Sequence, residues 1–167
     1  DGIPSTAEGR LAIARRIVAA AEEHGIPRED VAIDCLVMAA ATNQDEVREI
    51  LRAVTLCKQE LGVRTVLGVS NVSFGLPARP LVNSVFLAAA FGAGLDMPIL
   101  NPLSARYGDT VNAFRVLNGQ DGGAVRFLED YAHAADPYDG PAAAASEGAL
   151  APGPTGSAAA AEECPVP

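Results

Sequence analysis

The chain has 167 residues, with 21 acidic against 12 basic side chains, a net charge of −9, three cysteines, two histidines and no tryptophan. A hydrophobic content of 49% excludes a wholly disordered chain, which could not bury enough apolar surface to offset its ordering entropy; the length suits one domain. The acidic balance argues against a nucleic-acid partner, which needs basic charge facing phosphates, and no apolar run reaches the roughly 20 residues of a membrane span. The N-terminus has no basic region followed by an apolar stretch, so no signal peptide is read there. Cys35, Cys57 and Cys164 are widely spaced with no CxxC pair, which suits a reducing cytoplasm better than a disulfide framework. The first residue is Asp1 and the last three are Pro-Val-Pro, so the chain reads as a piece of something longer.

Along residues 1–136 helical and strand patterns alternate. Ser5 and Glu8 have the spacing of a capping box. They open a helix whose apolar face is Leu11, Ala14, Val18 and Ala21, ended by Gly25-Ile26-Pro27. Val31–Val37 is a short apolar run, expected as a buried strand. Asn43 and Glu46 repeat the capping signature, and Val47, Ile50, Leu51, Val54 and Leu61 recur at helical spacing up to Gly62. Thr65–Val69, rich in β-branched residues, is the second strand. Pro80 suits a first helical turn and leads into a helix over Leu81–Ala93, ended by Gly94. Met97–Leu100 is the third strand. Helices from about Gly108 to Leu117 and from about Asp121 to His133 follow.

The strand centres Ile33, Leu67 and Ile99 lie 34 and 32 residues apart. That is the pitch of a βα unit rather than of hairpins, and it implies a parallel sheet covered by helices. A doubly wound open sheet and part of a (β/α)8 barrel both fit. No glycine-rich turn follows a strand, as a dinucleotide fold would require, so the barrel is preferred. A whole barrel takes ~250 residues, and three strands are less than half of one. Residues 137–167 differ: 20 of these 31 are Ala, Pro or Gly, with four acids and no base. Such a stretch is expected to be a flexible tether or tail.

Ligands of parallel α/β folds collect at the C-terminal ends of the strands. Here those ends carry Asp34, Asn71 and Asn101. A carboxylate accepts two parallel hydrogen bonds from a planar, guanidine-like edge, and a pterin ring has one. An asparagine both donates and accepts, so it suits a ring nitrogen whose protonation changes. Ser70 and Ser73 have no nearby histidine and no nucleophile elbow. His24, His133 and the scattered cysteines do not make a metal set, and Cys35 reads as a small buried strand residue.

The run Gly68-Val-Ser-Asn-Val-Ser-Phe-Gly-Leu-Pro-Ala-Arg79-Pro-Leu-Val-Asn83, with Phe86-Leu-Ala-Ala-Ala, Ala93-Gly-Leu-Asp-Met-Pro-Ile-Leu-Asn-Pro102, Val31-Ala-Ile-Asp34 and the N-terminal Asp1–Arg10 segment, closely resembles the pterin-binding domain of cobalamin-dependent methionine synthases. It is also similar to methyltetrahydrofolate:corrinoid methyltransferases. The resemblance covers about residues 1–133. It implies the last three βα units of a (β/α)8 barrel that binds 5-methyltetrahydrofolate at its mouth, the earlier strands being absent from this chain. It implies that Asp34 holds the pterin, that Asn71 sits near the methyl-bearing nitrogen, and that Phe74 and Arg79 lie in a loop near the substrate. It further implies methyl transfer to cobalamin carried by another domain or protein, in methionine biosynthesis if the final acceptor is homocysteine, with the tail as a tether. Asn71 is the expected catalytic residue, hydrogen-bonding to that nitrogen as it gains a proton and becomes a leaving group. The related dihydropteroate synthases share barrel and pterin pocket but usually carry Ser-Arg-Lys where this chain has Ser70-Asn71-Val72, which favours methyl transfer over pterin condensation. An inactive fragment is the remaining alternative.

Overall fold

The computed structural model describes residues 2–135; the expected tether over 137–167 lies outside them. By internal contacts the chain divides after Glu129. The first unit alternates helix and strand: α1 (Ala7–Glu23), β1 (Ala32–Asp34), α2 (Gln44–Leu56), β2 (Arg64–Gly68), α3 (Arg79–Gly92), β3 (Met97–Ile99) and α4 (Ala105–Leu117). A last helix, α5 (Val125–Tyr131), follows, capped by both carboxylate oxygens of Asp121, which accept from the Arg126 and Phe127 amides.

The three strands form one parallel sheet in the order β1-β2-β3, with Ile33 beside Thr65 and Leu67 beside Pro98. Right-handed crossovers between neighbouring parallel strands carry their helices to one side, so α2 and α3 share a face. α1 packs on α2, α2 on α3 and α3 on α4. Burial alternates to match: Ile33, Thr65 and Leu67 lie beneath the helices, whereas Ala32, Asp34, Arg64, Met97 and Ile99 on the other face are exposed. The core between sheet and helices includes Leu11 and Val18 of α1, Ile50 and Val54 of α2, Leu67 of β2, and Phe86 and Leu87 of α3. Ile50, Leu67 and Leu87 are fully buried, each worth about 1.5–3 kcal/mol relative to exposure. Thr65, the polar residue inside this layer, is satisfied by Asp96, whose carboxylate accepts from its amide at 2.8 Å and its hydroxyl at 3.2 Å.

Several local expectations change for reasons that lie in tertiary contacts. The side-chain cap of α1 is Thr6, whose hydroxyl accepts from the Gly9 amide, rather than Ser5. Asn43 occupies the N-cap of α2 but makes no side-chain cap bond; Glu46, its expected capping-box partner, instead pairs with Arg10 at 3.1 Å. β1 ends at Asp34, short of the expected Val37. There Arg10 captures the carbonyls of Cys35 and Leu36, and Leu36 turns to φ +60. The helix expected to reach Leu61 widens after Leu56 into a π turn over Cys57–Leu61 before Gly62 at φ +65. α4 starts at Ala105, about one turn earlier than expected. Among the described residues no helix is long and apolar enough to cross a membrane.

Candidate functional site at the C-terminal ends of the strands

Parallel strands place all three strand ends, and the N-termini of the helices that follow, along one edge of the sheet. Asp34 is the last residue of β1 and exposed. Its Oδ1 accepts from the Leu36 amide at 2.8 Å, so the carboxylate forms its own turn, and among the described residues Oδ2 takes no hydrogen bond. That turn rests on Arg10, which reaches from α1 with only 6% exposure. Its guanidinium donates to both following carbonyls and to Glu46. Asp34 and Arg10 line a narrow recess with Ile3, Ile13 and Ile17.

After β2 the chain makes a 3-10 turn over Val69–Ser73. Val69 and Val72 bury into the core while Asn71 stays half-exposed. The Asn71 side chain folds back over the strand end: a Cβ on Gly68 would lie 3.0 Å from its Nδ2. Its backbone carbonyl accepts from the Phe74 amide. No hydrogen bond engages the Asn71 carboxamide among the described residues.

Arg79 opens α3 and reaches back across this turn. Its Nε donates to Ser73 Oγ at 2.9 Å and its Nη2 to the Ser70 carbonyl at 3.0 Å. Its guanidinium carbon lies 4.6 Å from the centroid of the Phe74 ring, a cation–π contact on an aromatic ring that is 51% exposed. Thus the structure brings Arg79, Phe74 and the Ser70–Ser73 turn into one contact set. Asn101, after β3, accepts from the Leu103 amide at 3.0 Å. It lines a separate cavity of about 350 Å³ with Ser70, Arg79, Asn83, Ser104 and Tyr107. Asp34 is not among the residues around that cavity.

Three residues at this edge were not singled out from the sequence: Arg10, Asn83 and Tyr107. Arg10 carried a signal, because it lies on the stripe of Ala7, Leu11, Ala14 and Val18 that the helix buries. Asn83 carried one too, as a polar residue at a buried position of the apolar α3. Tyr107 had none. Burial raises its phenol above the ordinary value, moderated by the Asn83 side chain and the Arg79 charge.

A parallel α/β layer with polar side chains at the carboxyl ends of its strands is the arrangement in which α/β folds gather their ligands. The family model described as pterin binding enzyme matches residues 5–101, more than half of the chain, and the chain belongs to that family. It is 29% identical over 121 residues to a methylcorrinoid:tetrahydrofolate methyltransferase of Eubacterium limosum, covering 72% of this chain and 45% of that protein. It is 38% identical over 109 residues to a methionine synthase of Mycobacterium leprae, covering 60% of this chain and 9% of that protein. The methionine synthase of Mycobacterium tuberculosis gives the same identity and coverage. The chain spans less than half the length of these curated relatives.

Proposed function

We propose that this chain is the closing part of a (β/α)8 barrel that binds 5-methyltetrahydrofolate and passes its methyl group to a corrinoid held by another domain or protein, in a methionine synthase. The observation that carries the reading is the unengaged Asn71 carboxamide, poised over the end of β2 within the Ser-Asn-Val-Ser turn. The barrel is supported by strands in sequential order with helices packed beside one another and the opposite face open, since a doubly wound sheet needs helices on both faces. The methyltransferase reading is supported by the relatives named above.

In this reading Asp34 accepts from the amino group and ring N–H of the pterin through its open oxygen, and Arg10 holds the loop that aims it. Asn71 faces the methyl-bearing nitrogen. A tertiary amine leaves only when that nitrogen gains a proton, and a preorganised carboxamide stabilises the change as it develops. The reduced corrinoid supplies the nucleophile that accepts the methyl group. Phe74 and Arg79 wall the loop side of the site, where a planar guanidinium stacked on an aromatic ring keeps a fixed orientation.

Steady-state and binding measurements on the intact protein that carries this chain test the assignment. Asn71→Ala is expected to lower turnover by about 10²–10³, equivalent to about 2.7–4 kcal/mol, with folate affinity little changed. Asp34→Ala is expected to weaken methyltetrahydrofolate binding in calorimetry. Unchanged turnover in the first variant, or unchanged affinity in the second, overturns the role given to that residue.

A further inference from the structure

We propose that Cys35 and Cys57 form a redox-active dithiol, which hydrogen peroxide converts to an intrachain disulfide that loosens the Asp34 turn. The disulfide and the change in the turn are properties of the chain itself. Their consequence for methyltetrahydrofolate rests on the folate reading given above.

Both cysteines are free and buried, at 3% and 0% exposure, and their sulfurs lie 3.9 Å apart. One buried cysteine is a small apolar filler. Two in contact, 22 residues apart in sequence and supplied by different elements, are placed to close a disulfide, whose sulfurs stand about 2.05 Å apart. Cys35 directly follows β1, and Cys57 opens the π turn after α2. Single π turns in helices recur at functional positions. Cys35 also lines the recess beside Asp34, about 60 Å³ in volume. A recess needs only about 10–15 Å³ to hold a water, so a small neutral oxidant has room to reach the pair.

The two sulfurs have different roles. The Cys35 thiol donates to the Cys57 sulfur, which favours the thiolate on Cys57 and holds the proton on Cys35. The thiolate is the nucleophile in such chemistry. Cys57 attacks one peroxide oxygen: an S–O bond forms, the O–O bond breaks, and hydroxide leaves and takes up a proton as water. The Cys35 sulfur then attacks the Cys57 sulfenic acid. The S–S bond forms, the S–O bond breaks, and the hydroxyl group leaves with the Cys35 proton as a second water. The pair loses two electrons and one peroxide is reduced to two waters.

Closing the bond draws the sulfurs together by nearly 2 Å. Cys35 is the residue after Asp34, and its carbonyl is held by Arg10. A pull on Cys35 toward α2 is therefore passed to the turn in which the Leu36 amide donates to Asp34.

The test uses the full chain with Cys164, outside the described residues, replaced as Cys164→Ser, so that within one chain only this pair can close. The reduced, folded protein is treated with hydrogen peroxide and read by mass spectrometry. The expected product has lost two hydrogens, joins the peptides of Cys35 and Cys57, and is reversed by dithiothreitol. With Cys35→Ala added, dimedone is expected to trap a sulfenic acid on Cys57. Hydrogen exchange at the Leu36 amide is expected to quicken about tenfold in the disulfide form, the effect of one hydrogen bond to a charged group. In the intact protein that carries this chain, methyltetrahydrofolate affinity is expected to fall by a similar factor and to recover on reduction. Two free thiols in the folded chain after an exposure that oxidises them in urea, or a cross-link with unchanged Leu36 exchange, overturn the proposal. If the disulfide forms and Leu36 exchange quickens while the reduced intact protein fails to bind methyltetrahydrofolate, the dithiol site stands and the folate reading is wrong. If the reduced protein binds methyltetrahydrofolate and no disulfide forms, the folate reading stands and the dithiol site is wrong.

Discussion

Replacing Arg10 by methionine tests how the core supports the site. Arg10 is 94% buried, and its guanidinium makes three contacts: the Cys35 carbonyl, the Leu36 carbonyl at 2.7 Å and Glu46 at 3.1 Å. Methionine fills most of the volume and makes none of them. Cys35 is buried, so its carbonyl is stranded at about 1–3 kcal/mol. The Leu36 side chain is 43% exposed, and water can replace the arginine there at little cost. Glu46, itself partly exposed at 22% of its side chain, loses its buried partner, worth about 1 kcal/mol near the upper end for accessible pairs. The sum is about 2–4 kcal/mol, below the full penalty for breaking a wholly buried pair. Urea unfolding reads it as a lower midpoint at unchanged slope. Methyltetrahydrofolate affinity is expected to fall as well, because the Asp34–Leu36 turn loses its anchor. A stability change under about 0.5 kcal/mol, the range of ordinary surface substitutions, would refute the view that Arg10 holds this loop.

Three further outcomes follow from the geometry. Gly68→Ala has no backbone conflict, because Gly68 sits at φ −76, but its new Cβ meets Asn71 Nδ2 at 3.0 Å. Turnover is therefore expected to drop far more than stability, and a variant with native turnover speaks against the position given to Asn71. At Asp96 burial alone would raise the carboxyl, but the Lys58 ammonium and the Thr65 amide and hydroxyl outweigh it and its pKa is lowered. Its stabilising contribution is thus present above the ordinary aspartate value of about 4 and fades as pH falls through the lower folded value. Chemical unfolding across that acid range is expected to show a flatter pH dependence for Asp96→Asn, and identical slopes would reject the linkage. Cys35 lies 3.9 Å from Cys57, sulfur to sulfur. The Cys57 sulfur, burial and the Asp34 charge all push the Cys35 thiol up. Iodoacetamide at mildly alkaline pH is expected to spare Cys35 in the folded protein and label it in urea, read by mass spectrometry; rapid labelling of the folded protein would count against a protonated, buried thiol.

The order of helices and strands, the βα pitch and the strand-end positions Asp34, Asn71 and Asn101 follow from local pattern. Apolar periodicity, proline at a first helical turn and glycines such as Gly25 and Gly62 act within a few residues and are written in the chain itself. The relation of Arg79 to the Ser70–Ser73 turn was also within reach, since they are close in sequence. Tertiary structure alone decided where β1 stops, because an arginine 25 residues upstream takes the carbonyls that a longer strand would have used. It likewise decided that Glu46 serves Arg10 rather than the cap of its own helix. It also brought Asn83 and Tyr107, buried polar groups from two different helices, together in one cavity. Hydrogen-bond satisfaction is settled between elements distant in sequence, and local periodicity carries no record of which partner a buried polar atom finds or lacks.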